Sequence, residues 1–193
     1  NRAMLETMFP GKFDYVRSPE NQDYIYTSRD LATLAGKRFH AKRNHISKFY
    51  RTYTDTRFET LSDSNIPDAL TVAKLWCAEN DTDPEASSEI TAIREMCDLK
   101  DEYNVKGAVL YVDSKPVAMT LGSEISPKVY DINFEKALRE YDGVYAVINN
   151  EFAKTLTQYE YINREEDMGL EGLKKSKLSY NPVIILDRWN AIP

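Results

Sequence analysis

The 193-residue sequence predicts an α+β fold, a mixed β-sheet with helices on both faces. Three observations predict it. From Arg57 onward, stretches of period 2 and period 3.6 follow one another in the order β-α-α-β-β-β-α-β-α-β. The composition, 42% hydrophobic and 29% charged, is that of a globular protein with chain enough for a sizeable core. No apolar run approaches the ~18 residues of a membrane span, and no signal peptide is recognisable.

The chain opens on Asn1 without Met and enters the helical "RAMLETMF" at once, so a piece of a longer polypeptide is expected. Strand-like pieces follow at 13–16 and 24–26, then a helical stretch over about 29–51 with a break at Gly36. "TRFETL" reads as a strand. Helices are predicted over 66–80 and 84–101, the second opened by Asp83-Pro84. "GAVLYVDSKPVAMTLGSEI" is a strand, a turn at 113–115 and a second strand; "VYDINFEKA" is a third. "DGVYAVINNEFAKTL" reads as a helix, and the end alternates strand "YEYIN", helix "LEGLKKSKL", strand "PVIILD". This is the element order of a GNAT N-acyltransferase fold, preceded by residues 1–53.

Several chemistries are excluded. Seven glycines are about half the usual frequency, and neither G-x-G-x-x-G nor G-x-x-x-x-G-K-[ST] occurs. G-x-S-x-G and H-E-x-x-H are absent as well. His40 and His45 stand about 140° apart on a helix, too far round to share a metal, and no metal site is expected. Cys77 and Cys97 fall in apolar helical stripes and read as buried thiols. Coenzyme-A-dependent GNAT enzymes cradle pyrophosphate on a Q/R-x-x-G-x-G/A loop at a helix N-terminus. The corresponding "LREYDGVYAV" has only Gly143, with Tyr141 and Tyr145 adding bulk, so no coenzyme is expected.

Charge is unevenly placed. The chain carries 31 Asp+Glu against 25 Lys+Arg, net −6, yet "GKRFHAKRNHISKFYR" (36–51) holds six cations and both histidines. On a helical wheel Phe39, Ile46 and Tyr50 form an inward stripe with Phe49 at its edge. Lys42 and Arg43 lie roughly 60° and 40° either side of Phe39, on the core-facing half. A cation there needs an anion, either an internal carboxylate (Glu165, Glu166 or Asp167) or a substrate. Near the C-terminus, Lys177 shares a stripe with Leu170 and Leu173, so its amine is expected buried, within reach of Asn163, Glu165 or a backbone carbonyl. Two inward cationic sites point to a charge-stabilising pocket.

"GKRFHAKRNHISKF" and "YINREEDMGLEGLKKSKLSYNPV" resemble the conserved segments of the phosphatidylglycerol lysyltransferase C-terminal domain family, itself similar to the Fem-type peptidyltransferases. The resemblance covers nearly the whole chain. It implies two GNAT-like halves and an aminoacyl-tRNA donor. Residues 1–53 then match the end of the first half plus the linking helix, and 54–193 the second half, with the missing half packing in cis. The family's motifs fall on Lys42, Arg43 and Asn44; on Asn163, Arg164, Glu165 and Asp167; and on Lys177, Ser179 and Tyr180. The buried thiols fit a cytoplasmic setting, which is expected; the lysyltransferases' transmembrane region has no counterpart here, so neither a lipid acceptor nor peripheral membrane contact is expected.

The function expected is transfer of an aminoacyl group from aminoacyl-tRNA to an amine or hydroxyl. Lys177 would stabilise the oxyanion and Glu165 would orient or deprotonate the attacking group. Lys42, Arg43, Asn163, Arg164 and Tyr180 would bind substrate. The partner is an aminoacyl-tRNA or a small anionic substrate; DNA is not expected. The acidic net charge confines any tRNA contact to outward cations such as Lys37, Lys48 and Arg51. The alternatives are a coenzyme-A-dependent N-acyltransferase and a non-catalytic module that binds an anion or aminoacyl-tRNA.

Overall fold

The computed structural model describes residues 2–80, 83–84 and 87–193. In chain order its elements are α1 (Arg2–Met8), β1 (Asp14–Arg17), β2 (Asp23–Thr27), α2 (Ser28–Thr33), α3 (His40–Thr52), β3 (Thr56–Thr60), α4 (Ile66–Glu79) and α5 (Ser88–Asp98). They continue with β4 (Lys106–Val112), β5 (Lys115–Ser126), β6 (Val129–Ala137), α6 (Val144–Thr155), β7 (Tyr161–Asn163), α7 (Glu171–Leu178), β8 (Ile184–Leu186) and β9 (Trp189–Ile192). The chain divides into two units, residues 27–162 and residues 1–26 with 163–193.

The unit 27–162 is built on the antiparallel meander β3-β4-β5-β6. Asp113 and Ser114, both at positive φ, make the two-residue turn between β4 and β5 whose twist matches the flanking strands. Residues 107–112 of β4 are all buried, so both faces of the sheet are covered. On one face α4 and α5 pack Ala69, Val72, Ile90 and Ile93 against Val109, Tyr111, Met119 and Leu121. The alternate residues face α6, which also packs on α2 and α3. Asn150 of α6 donates to the Leu31 and Ala32 carbonyls (2.7 and 3.0 Å), satisfying the C-terminal end of α2. Cys77 and Cys97 are buried free thiols, and burial pushes the Cys97 pKa up to about 11.

Where element edges differ from the sequence expectation, local chemistry explains it. The 29–51 helix stops at Thr33 because Leu34 takes a left-handed conformation (φ 48°); after Gly36 a 3-10 turn, Lys37–Phe39, leads into α3. α5 begins at Ser88, where the Ser87 hydroxyl accepts the Ile90 N–H, rather than at Pro84; Glu85 and Ala86 lie outside the described residues. The strand expected at "YEYIN" is confined to its last three residues, and β9 was not expected at all.

In the other unit β2 pairs antiparallel with β8 (Tyr24↔Ile185), and β1 with β9 (Tyr15↔Ala191). Its buried side chains among the described residues are Ser18, Gln22, Asp23, Tyr24, Tyr26, Asn163, Asp167, Lys177 and Tyr180. Ile184, Ile185, Leu186, Trp189 and Ile192 are exposed.

Candidate functional site

In the unit of 1–26 and 163–193 the site is a turn that follows β7. Extended backbone ends at Asn163, because Glu165, Met168 and Gly169 adopt positive φ (55°, 52° and 73°). The Asn163 side chain shapes the bend: its Oδ1 accepts the Glu165 N–H at 3.1 Å, and its amide donates to Asp23 Oδ2 at 3.3 Å. The β2 backbone clamps the same residues. Arg164 N–H donates to the Tyr24 carbonyl (3.0 Å), and Tyr24 N–H to the Glu165 carbonyl (3.2 Å).

Lys177 is the buried residue of α7, 7% exposed. Its amine donates to the backbone carbonyls of Arg164 and Glu165, the latter at 3.1 Å, and lies 5.9 Å from the Tyr24 ring centroid. The apolar stripe expected through Leu170 and Leu173 does not cause this burial. Leu170 is 57% exposed because it is the N-cap of α7, and Leu173 is only half-buried. Lys177 is drawn inward by the carbonyls of the 163–165 turn, which offer an ammonium what an apolar face cannot.

The Arg164 guanidinium lies 4.8 Å from the Tyr180 ring and 5.8 Å from that of Tyr26, two buried tyrosines packed edge to face. Such stacking holds a planar cation against aromatic faces. Tyr26 Oη donates to the Lys177 carbonyl at 2.8 Å. Asp167, also buried, accepts the Tyr24 hydroxyl at 2.5 Å and the Gly169 N–H at 2.9 Å. Burial, and next the hydrogen bond to Asp167, push Tyr24 up to about 12, so it stays a neutral donor.

This unit thus brings together five predicted residues, Asn163, Arg164, Glu165, Lys177 and Tyr180. Asp167, the further residue of the expected strand-end motif, lies with them, and the unit adds Asp23, Tyr24 and Tyr26. Asp23, 2% exposed, receives Arg188 at 2.6 Å as well as Asn163 on Oδ2, while its buried Oδ1 has no hydrogen-bond partner. Sequence reasoning missed it, because "NQDYIY" is a short strand carrying a lone acid and no motif.

Lys42 and Arg43 belong to the unit 27–162 and are half-buried. Arg43 Nη1 donates to the Leu34 and Gly36 carbonyls, the latter at 2.8 Å, and so ties α3 to the end of α2. The inward stripe of α3 runs through Phe39 and Phe49, both fully buried; Tyr50 is 39% exposed and its hydroxyl donates to Glu151 (3.2 Å). Two outward cations of this segment have carboxylate partners, Arg38 with Asp30 (2.7 Å) and Lys48 with Asp142 (2.6 Å).

The start of α6 sits where a pyrophosphate loop would. Gly143 caps it at φ 86°, and a Cβ there would lie 2.9 Å from the His45 carbonyl oxygen. Its glycine therefore serves the close approach of α3. Separately, an open cavity of about 490 Å³ is lined by Thr27, Arg29, Thr33, Tyr159 and Glu160 among others, and by none of the predicted residues. Among the described residues no group of three His, Cys, Asp or Glu could hold a metal, and no helix is long and apolar enough to cross a membrane.

The chain is similar to a family model and to several solved structures. The family model described as phosphatidylglycerol lysyltransferase, C-terminal, matches residues 4–192. A conserved protein of unknown function from Bacteroides thetaiotaomicron is 41% identical, with TM-score 0.90, over 98% of this chain and 65% of that one. The C-terminal domain of a putative lysylphosphatidylglycerol synthetase from Agrobacterium fabrum has TM-score 0.70 at 14% identity, again over 98% and 65%. A GCN5-related N-acetyltransferase from Kribbella flavida has TM-score 0.53 at 11% identity, over 93% and 60%. The expected α+β, GNAT-like fold is borne out. The chain spans about two thirds of the length of these solved chains, or a little less.

Proposed function

We propose a transferase function for this chain, which belongs to the phosphatidylglycerol lysyltransferase C-terminal family. An aminoacyl group moves from aminoacyl-tRNA to an amine or hydroxyl acceptor. The observation that carries the reading is the buried Lys177 amine, held by the Arg164 and Glu165 carbonyls on the turn after β7. The acceptor attacks the ester carbonyl, and Lys177 stabilises the oxyanion that forms. A charge fixed in a buried site does this without reorganising solvent. Glu165 orients the attacking group and takes its proton. The intermediate collapses, the ester C–O bond breaks, and the ribose oxygen of the tRNA leaves with a proton. Asn163, Arg164 and Tyr180 bind substrate beside Lys177, and Lys42 and Arg43 hold a phosphate or carboxylate of donor or acceptor.

The packing of Gly143 against the His45 carbonyl disfavours coenzyme A as the donor, since a pyrophosphate needs that backbone accessible. A second reading, a non-catalytic binding module, is favoured by one feature: Lys177 already has carbonyl acceptors, as a purely structural tie would. We propose too that residues 1–53 end a preceding GNAT-like half, which packs in cis in a cytoplasmic protein. The test is mass spectrometry of products after the full-length protein meets charged tRNAs or acetyl-coenzyme A. An aminoacylated acceptor formed only with charged tRNA supports the proposal. Binding without turnover supports the module, and product from acetyl-coenzyme A overturns the choice of donor.

A further inference from the structure

The β6 strand carries an extra residue. Leu121 pairs with Phe134 and Gly122 with Ile132, leaving Asn133 unmatched. Without the bulge, Tyr130 and Lys136 would share a face, being six residues apart. Instead Tyr130 meets Phe152 of α6, with ring centroids 6.1 Å apart. Lys136 turns to the opposite face, 3.6 Å from the Trp76 ring centroid of α4 and 2.7 Å from Glu89 of α5. The bulge thereby places Glu135 on the α6 side of the sheet.

Two further polar groups meet it there. Thr120 is opposite Glu135 in register, and lies between Met119 and Leu121, which face α4 and α5. Asn149 of α6 donates to Glu135 Oε2 at 3.1 Å. Thr120 and Asn149 are both 0% exposed, and Thr120 Oγ1 and Asn149 Oδ1 are buried without a hydrogen-bond partner. Buried oxygens in that condition call for a donor. Glu135 is half-buried, which leaves a route from solvent, and its carboxylate sets the sign of charge preferred.

We propose that Glu135, Thr120 and Asn149 form a binding site for a primary ammonium group. Such a group has three N–H donors and no acceptor, one for each of the three oxygens. The inference rests on the transferase reading for its purpose: a transferred aminoacyl group carries an α-ammonium, and an amine acceptor carries one before it is deprotonated.

The test is an NMR titration of the uniformly 15N-labelled protein, following the Asn149 side-chain amide. L-alaninamide represents the aminoacyl source, ethylammonium the simple amine, and tetramethylammonium a cation without N–H donors. Saturable shifts are expected with a primary ammonium and not with tetramethylammonium. Tighter binding of L-alaninamide assigns the site to the donor; equal binding assigns it to the acceptor amine. Glu135→Gln should weaken binding at least about tenfold, and the near-isosteric Thr120→Val about threefold, with spectral dispersion retained. Equal shifts with tetramethylammonium overturn the proposal. So does the absence of a saturable shift in the folded protein, which would leave the site to water. Since the titration needs no turnover, its failure leaves the role of Lys177 standing, and a failure of turnover leaves ammonium binding standing.

Discussion

In residues 27–162 one face of the sheet is packed by Val72, Ile93, Val109, Met119 and Leu121, side chains that bury area and ask for no partner. In the unit of 1–26 and 163–193, every buried side chain among the described residues carries a polar atom, from Ser18 and Asp23 to Lys177 and Tyr180. Ile184, Ile185 and Leu186, the three consecutive positions of its strand β8, are all exposed. The first unit is stabilised by transfer of apolar area from water. The second depends on matching each buried donor to an acceptor, because an unmatched group costs more than a matched one contributes. The candidate catalytic residues lie in the second. A site that must hold charge in a dry place is built here from the material that tolerates it.

Substitutions can break this contrast. The largest effect is expected from Leu121→Ala, which removes a fully buried side chain from between α4 and β5. Thermal or denaturant unfolding should register a loss of about 3 kcal/mol. Lys177→Met comes next. It keeps the length and bulk of the side chain and deprives the Arg164 carbonyl of a donor, while the Glu165 carbonyl keeps the Tyr24 N–H. A cost of about 1–3 kcal/mol is expected, with the protein still folded and transfer activity lost; unchanged turnover would remove Lys177 from the mechanism.

Tyr24→Phe removes the hydroxyl that Asp167 accepts and should cost about 1 kcal/mol. It also has a pH signature. Folding raises this tyrosine to about 12 from 10.0, so the native state holds the proton more tightly. Its contribution is fully present below pH 10 and is lost as pH rises through 12. An alkaline titration of stability should show that loss in the parent and a smaller one in Tyr24→Phe. Lys48→Ala should do least. The pair with Asp142 is exposed on both sides and screened by solvent, so no measurable change in the unfolding midpoint is expected.

Much of this was legible in the chain. The period changes between Arg57 and Leu186 give the element order, because most of those strands and helices are long and two-faced. Lys177 could be picked out as an inward cation, but its reason could not: the attraction comes from carbonyls on a turn whose positive-φ residues, Glu165 and Met168, have no sequence signature. Likewise the wheel chose Tyr50 over Phe49, since it carries no information on where α6 lies, and Phe49 packs beside Gly143 at the start of α6. β9 escaped because "WNAI" is short and its partner strand begins at Asp14, far along the chain. The bulge at Asn133 shows only in the pairing of two strands, so the gathering of Glu135 with Thr120 had no trace in either strand alone.

The pairing of Asp14 with Ile192 and of Tyr24 with Ile185 has a consequence for the order of assembly. Residues 27–162 are contiguous and can fold as soon as they leave the ribosome. Residues 1–26 are made before them, yet β1 and β2 meet β9 and β8 only once residues 184–192 have been made, a closure whose entropy must be met before any contact repays it. Until then β2 offers a bare edge rich in tyrosine and isoleucine. The turn that holds Lys177 is therefore completed only after the meander has been made, so a chain cut short before α7 leaves the meander intact and has no site.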